Sequence, residues 1–135
     1  METEKVCVNL SAAELGTIDV LVAQGLYTSR SDVIRAGVRA ISEEHGPAFK
    51  RATEHANMLG VMMLGRRDLE HTLREGKRLK MFVVGILRLD NSITPDLADE
   101  AIEHIQVLGA IRAPDAVLKR LEGRITRNLD GASWL

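Results

Sequence analysis

The first residues whose side chains could bind a ligand or react are Lys5, Cys7 and Asn9, which occupy alternate positions. The residues between them are apolar, and this period of two predicts a β-strand over residues 5–10. One face of the strand then carries an ammonium group, a thiol and an amide, while the other face is apolar. Cys7 has two interpretations, as a redox-sensitive group or as a small side chain without a role of its own.

The rest of the chain shows no pattern typical of catalysis or metal binding. The four histidines are His45, His55, His71 and His104. They form no His-x-His pair, and a single cysteine excludes both an intrachain disulfide and a multi-cysteine zinc site. No nucleophile motif and no glycine-rich phosphate loop is present. We therefore expect neither an enzyme nor a metal or other cofactor.

Two helices follow the predicted strand and must position it. Ser11 lies three residues before Glu14, which is the spacing of a capping box, and Gly25 is suited to end the helix that begins there. Ser29 and Asp32 form a second capping box, whose helix should run to about residue 45. The apolar residues at helical spacing in the two helices are Leu15, Ile18, Leu21, Val22, Ile34, Val38 and Ile41.

A single strand cannot stand alone, because its backbone N–H and C=O groups have no partner. A second copy of the chain supplies one, so we expect an obligate homodimer with a two-stranded antiparallel ribbon and four helices. The predicted dimer core consists of Val6, Val8, Leu10, Ile18, Leu21, Ile34, Val38 and Ile41. An inert dimerisation module with the same pattern is the alternative.

Residues 3–44 resemble the ribbon-helix-helix DNA-binding proteins of the Arc, MetJ and CopG type. The resemblance is carried by Lys5-Val6-Cys7-Val8-Asn9-Leu10, by Glu14-Leu15 and Ile18-Asp19, and by the tract from Gly25 to Arg35. It implies double-stranded DNA as partner, with the ribbon in the major groove and Lys5, Cys7 and Asn9 facing the bases. It also implies that Ser29, Arg30 and Ser31 hold a phosphate at a helix N-terminus. The expected role is transcriptional regulation, by repression.

Charge is distributed unevenly over the 135 residues, although the net charge is only −1. Residues 1–45 hold four basic and seven acidic residues, whereas residues 46–80 hold eight basic and four acidic ones. An acidic DNA-binding segment predicts modest affinity for one dimer, with cooperative binding to tandem sites as compensation. The basic cluster of residues 50–80 is either a solvated face or an auxiliary contact to phosphates.

The second half of the chain contains an internal repeat. Three apolar stretches align at Gly60, Gly85 and Gly109, which are 25 and 24 residues apart, and we expect the glycines to permit close packing between units. Each stretch precedes a predicted helix, over residues 66–78, 95–105 and 114–125, with Pro95 and Pro114 at first helical positions. The core candidates on these helices are Leu69, Leu73, Leu97, Ala101, Ile105, Val117, Leu118 and Leu121.

The predicted fold class is α+β, with an intertwined ribbon-helix-helix dimer followed by a small α/β domain of three βα repeats and a parallel sheet. The domains are residues 1–45, a linker or short helix at 46–58 after Gly46-Pro47, and residues 59–135. Higher oligomerisation is the favoured role of the second half. Binding of a small effector, or of a protein partner such as a toxin, and polymerisation as a DNA organiser stay open. No membrane span is predicted, and we expect a cytoplasmic protein.

Overall fold

A computed structural model describes residues 3–129 of the chain, and these form two compact units. The N-terminal unit, Glu4–Ala52, contains α1 (Ala12–Ala23), α2 (Arg30–Glu44) and most of α3 (Gly46–Thr53). The C-terminal unit begins at Thr53. Residues 130–135, the end of the predicted C-terminal domain, lie outside the described part.

Helix α1 begins where the capping box predicts. The backbone N–H of Glu14 donates to Ser11 Oγ at 3.2 Å, and the N–H of Ser11 donates to Glu14 Oε2 at 2.9 Å. Two donors that the helix leaves unpaired are thereby satisfied. Gly25 follows the helix with φ +75°, the left-handed conformation expected for a residue that ends a helix.

Helix α2 begins at the predicted place, but its cap differs from the predicted capping box. Ser29 Oγ accepts from the N–H of Asp32 at 3.1 Å, as expected. The Asp32 carboxylate does not return to Ser29; it accepts hydrogen bonds from the hydroxyl and the backbone N–H of Thr28. Asp has a shorter side chain than the Glu that usually completes a capping box. The cap therefore also fixes the turn before the helix.

The N-terminal unit has almost no core of its own. Ile18 is the one buried residue of Glu4–Ala52, and α2 contributes none. Of the other residues in the predicted dimer core, Leu21 is half-buried and the remaining six are exposed. A folded unit normally buries such side chains, so this set remains available to a partner.

The C-terminal unit contains a four-stranded sheet that alternates with helices. Its elements are β1 (Met58–Leu64), α4 (Arg66–Arg74), β2 (Leu79–Leu89), α5 (Pro95–Ala101), β3 (Ile102–Arg112), α6 (Asp115–Arg120) and β4 (Ile125–Thr126). The strands are all parallel and lie in the order β1-β2-β3-β4. The predicted parallel sheet of βα repeats is therefore confirmed.

The repeat glycines lie side by side across the sheet. Gly60 pairs with Gly85, and Gly85 pairs with Gly109, each with φ close to +130°. A Cβ atom on Gly85 would lie 2.0 Å from the carbonyl oxygen of Gly60, and one on Gly109 would lie 1.9 Å from that of Gly85. Only glycine allows the strands to approach this closely with this backbone.

The core of the C-terminal unit lies between the helices and one face of the sheet. Its buried residues on the strands share one side, as Met81, Val83, Leu87 and Leu89 do on β2. All three helices contribute to the same cluster. The fourteen buried members are Leu69, Met81, Val83, Leu87, Leu89, Ile93, Ala98, Ala101, Ile102, Ile105, Val107, Ile111, Val117 and Leu121.

The helices of the repeats are shorter than their patterns predict. Helix α5 ends at Ala101 and β3 begins at the next residue, so Ile105 is buried on a strand and not on a helix. Arg78 and Arg124 make this sharp change possible, since both donate to backbone carbonyls at the end of α5, including those of Asp99 and Ile102. Helix α6 starts after Pro114, one residue later than expected.

Candidate nucleic-acid interface

The segment before α1 presents its two sets of side chains to solvent. Val6 is 84% exposed and Val8 is 64% exposed, and Lys5, Cys7 and Asn9 are exposed as well. Residues 5–10 form no helix or strand in the single chain. A strand is defined by hydrogen bonds to a neighbour, and the ribbon prediction assigns that neighbour to a second copy.

A groove lined by both apolar and polar residues lies beside this segment. It has a volume of about 340 Å³. Its walls come from residues 8–10 and from both helices, and are made by Val8, Asn9, Leu10, Leu15, Ile18, Arg30 and Ile34. Most of these are predicted dimer-core residues, so the structure brings that part of the set together around one concave surface.

The N-terminus of α2 has the donors that an anion requires. The described hydrogen bonds satisfy the N–H of Asp32 through Ser29 Oγ, but include none from the N–H groups of Arg30 and Ser31. These two groups point out of the first helical turn, where the helix dipole favours negative charge. The predicted phosphate-holding residues therefore share one helix start.

Arg30 plays a structural part that its sequence position does not reveal. Its Nε donates to Asp19 Oδ1 and its Nη2 donates to Asp19 Oδ2, both at 2.8 Å, so α1 and α2 are joined by a two-point ion pair. The hydrogen bond from Arg30 lowers the pKa of Asp19. The guanidinium is thus engaged in an exposed ion pair, with which a phosphate would have to compete.

Further charges surround the turn at residues 28–32. Hydrogen bonds from Thr28 lower the pKa of Asp32, with smaller contributions from the positive charges of Arg35 and Arg39. Asp32 is therefore ionised close to the helix start, which opposes an anion, while Arg35 and Arg39 favour one. The sequence prediction did not include these two arginines, although their spacing of three and seven residues from Asp32 places them on its side of α2.

Four of the eight basic residues in the cluster of residues 50–80 make ion pairs or hydrogen bonds within the C-terminal unit. Arg66 pairs with Glu70 at 2.6 Å, and Arg78 donates to the end of α5. Lys77 and Lys80 lie within 4 Å of glutamates. These contacts favour the interpretation as a solvated, internally paired surface over a continuous track for phosphates.

Neither a metal centre nor a membrane span emerges from the described residues. They contain no group of three or more His, Cys, Asp or Glu side chains placed to hold a metal ion. His104 instead hydrogen-bonds through Nε2 to Thr126 Oγ1 at 2.9 Å. In the same part of the chain, every helix is too short or too polar to cross a lipid bilayer.

Comparison with protein families matches residues 1–118 to the Ribbon-Helix-Helix transcriptional regulator family. The match covers most of the chain, including β1, β2 and β3 as well as the N-terminal unit. No curated protein and no solved structure matches the chain. The predicted resemblance is confirmed and extends beyond residues 3–44: the chain belongs to the ribbon-helix-helix transcriptional regulator family and is a DNA-binding transcriptional regulator.

Proposed function

We propose that the protein represses transcription as a homodimer whose paired N-terminal segments read the major groove of DNA. The observation that carries the dimer is the incomplete N-terminal unit, which buries one residue and exposes an apolar set around a groove. Burial of such side chains is worth about 1.5–3 kcal/mol each, so a second copy gains substantial stability by covering them.

The same pairing orients the polar side chains. If Val6, Val8 and Leu10 turn inward against the helices, Lys5, Cys7 and Asn9 turn outward. Lysine can donate to guanine O6 and N7, and asparagine can pair with adenine N6 and N7. A thiol is short, and we assign Cys7 contact with a thymine methyl group.

The phosphate contact is assigned to the start of α2. The N–H groups of Arg30 and Ser31 hold the phosphate, and the hydroxyl of Ser29 can donate to it while accepting from Asp32. The Arg30 side chain stabilises the site through Asp19 and adds little net charge. Because little net positive charge is available to the phosphates, a single dimer should bind DNA modestly, and binding to tandem sites should compensate.

Occupancy of tandem sites requires dimers to assemble, and we assign that role to the C-terminal unit. It has a core of its own within the single chain, so this role does not require a second copy to complete that core. Repression then follows from a row of dimers that occupies a promoter.

Selection of duplexes from a random DNA library tests the proposed reading. We expect the wild-type protein to enrich an inverted repeat, because a two-fold dimer reads two half-sites. Lys5→Ala and Asn9→Ala should each relax the preference at one position by about 1–3 kcal/mol. Lys50→Ala, which removes an exposed lysine of α3, is the matched control and should leave the preference intact. No enriched sequence, or one unchanged in both variants, would contradict the proposal.

A further inference from the structure

Within the described residues, the parallel sheet of the C-terminal unit ends at β1, which pairs with β2 alone. The carbonyl oxygens of Gly60 and Leu64 point towards β2. Because the peptide groups of a strand alternate in direction, the N–H and C=O groups of Leu59, Val61 and Met63 point away from β2. We name the side of β1 formed by these three residues its outer edge.

The outer edge is bare in the described part of the chain. There, no residue outside the sheet forms a hydrogen bond with Leu59, Val61 or Met63. A Cβ atom on Gly60 would meet no atom within 4 Å, whereas those on the next two glycines of the ladder would meet the preceding strand. The side chains of Leu59 and Met63 are 58% and 67% exposed. A further strand therefore has room at this edge.

The sequence of β1 has none of the features that protect the edge of a sheet. Edge strands are usually short, or carry a charge or a proline, because their unpaired N–H and C=O groups otherwise recruit another strand. Strand β1 has seven residues, none of them charged and none of them proline. We infer that the outer edge of β1 pairs with the same edge of a second copy, which belongs to another dimer.

The positions of the exposed side chains favour a second copy over a different strand. Leu59 and Met63 lie two residues before and two residues after Val61, on the same face of β1. In an antiparallel pair with its two-fold axis at Val61, residue 59 of each copy lies opposite residue 63 of the other, with Cβ atoms about 4.5–5.5 Å apart. Both exposed side chains are then covered in both copies. The contact is isologous, and it brings no like charges together because β1 has none.

The consequence of this contact for assembly rests on the proposed dimer. A chain with one two-fold contact at the ribbon and another at β1 joins dimers into tetramers or longer assemblies. Two strands of seven residues make a small interface, so the contact is weak alone. It gains strength when two dimers are held on neighbouring DNA sites. That is the cooperative binding that tandem sites require.

Cysteine cross-linking of the full-length protein tests the pairing and its register. Cys7 is the single cysteine of the chain, so Cys7→Ala provides a background without thiols. In this background, Val61→Cys places two thiols opposite each other, and a short thiol-to-thiol cross-linker should join most chains in pairs. Leu59→Cys is the matched control, because its thiol is more exposed but the two copies of residue 59 lie about 13 Å apart along the strands. It should give few pairs alone and many when mixed with Met63→Cys.

Light scattering supplies a second readout. We expect the wild-type protein to be a tetramer or larger, and Met63→Lys to lower the mass at least two-fold. The substituted side chain is mostly exposed, so folding should be little affected. The matched control is Ala116→Lys, which adds the same charge at an exposed position of α6 and should leave the mass unchanged.

These readouts separate the inference from the proposed function, because neither of them requires DNA. Met63→Lys should bind a single half-site pair as the wild type does and lose only cooperativity on tandem sites. The inference would be overturned if Val61→Cys gave no cross-linked pairs, if Leu59→Cys alone gave as many, or if Met63→Lys kept the wild-type mass. Cross-linking of Val61→Cys by a protein that binds no specific DNA would support the contact and contradict the proposed function alone.

Discussion

The two units of this chain differ in what holds them together. The N-terminal unit buries one residue, Ile18, and its visible order comes from exposed polar contacts such as those between Ser11 and Glu14 and between Arg30 and Asp19. The described part of the C-terminal unit has sixteen buried apolar residues, fourteen of them in one cluster, and a sheet whose strands are aligned by glycine. The C-terminal unit therefore has a core within a single chain, whereas the N-terminal unit leaves most of its apolar residues exposed.

In the proposed function, this difference corresponds to different roles for the two units. A surface that must read two-fold symmetric DNA gains from being assembled only in the dimer, because the monomer then presents no competing site. A unit that links dimers must stay folded whether or not they are linked. The comparison therefore predicts that damage to one unit leaves the other largely intact.

Substitutions at two adjacent positions of the N-terminal segment should have the largest effect on dimerisation and DNA binding. Val8→Asp buries a carboxylate in the predicted dimer core at a cost of several kcal/mol, and it should abolish ribbon pairing and DNA binding. Asn9→Asp places the same side chain on the outward face, so its dimer should survive while specific binding is lost. The mass of each variant should be measured by light scattering and compared with that of the wild-type protein. Equal masses for the two variants would contradict the assignment of faces.

Substitutions at two glycines test what stabilises the C-terminal unit. Gly60→Ala and Gly85→Ala both introduce a side chain at a φ near +130°, which costs about 1–3 kcal/mol. Only Gly85→Ala also drives a Cβ atom into a neighbouring strand, whereas the position at Gly60 is open. Chemical denaturation should therefore show a larger loss of C-terminal stability for Gly85→Ala. Equal losses would mean that backbone strain alone explains the glycine ladder.

Loss of the ion pair between Arg30 and Asp19 should have a smaller effect on DNA binding. Asp19→Asn removes the partner of Arg30 and releases a positive charge at the start of α2. Binding should become tighter and more salt-dependent, with the slope of log affinity against log salt steeper by up to about 2 for a dimer. Glu43→Gln, which removes an exposed acid without freeing an arginine, should change the slope less. A slope that Asp19→Asn leaves unchanged would place Arg30 outside the reach of phosphate.

Acid should change the stability of the two units in different pH ranges. This is the smallest of the effects expected here. Burial lowers the pKa of His104 below its usual 6.5, so the unfolded chain binds a proton more readily and C-terminal stability falls as the pH drops below that value. Hydrogen bonds lower the pKa values of Asp19 and Asp32 from 3.8, so the N-terminal unit loses stability only below about pH 4. Denaturation between pH 7 and 4 should show the first loss in the C-terminal unit, and His104→Gln should remove it.

The sequence predicts most of the fold because its signals are local. Ser11 with Glu14 fixes the start of α1, and the repeat marked by Gly60, Gly85 and Gly109 predicts the parallel sheet. The pairing of these glycines across the strands is a finding of the structure. The ends of the short helices were missed, because they depend on distant partners. Arg78 and Arg124 lie in other parts of the chain and donate to the last carbonyls of α5. No local sequence pattern predicts these contacts.

The candidate site is harder to predict, because it also depends on contacts between residues that are distant in the sequence. The types and alternation of Lys5, Cys7 and Asn9 indicate an outward face, but the pairing of Arg30 with Asp19 across eleven positions does not follow from any motif. That pairing gives the Arg30 side chain a structural contact to α1, and its contact with phosphate remains a prediction. The assignments to DNA bases and to the dimer core remain predictions.

Amide hydrogen exchange across residues 5–10, followed as the protein is diluted, tests directly whether two copies pair as a ribbon. If two copies form a ribbon, the amides that pair across it are protected at high protein concentration, and protection falls in step with dissociation of the dimer. Protection of the C-terminal strands should stay constant over the same range. Rapid exchange of residues 5–10 at every concentration would show that no ribbon forms and would contradict the account.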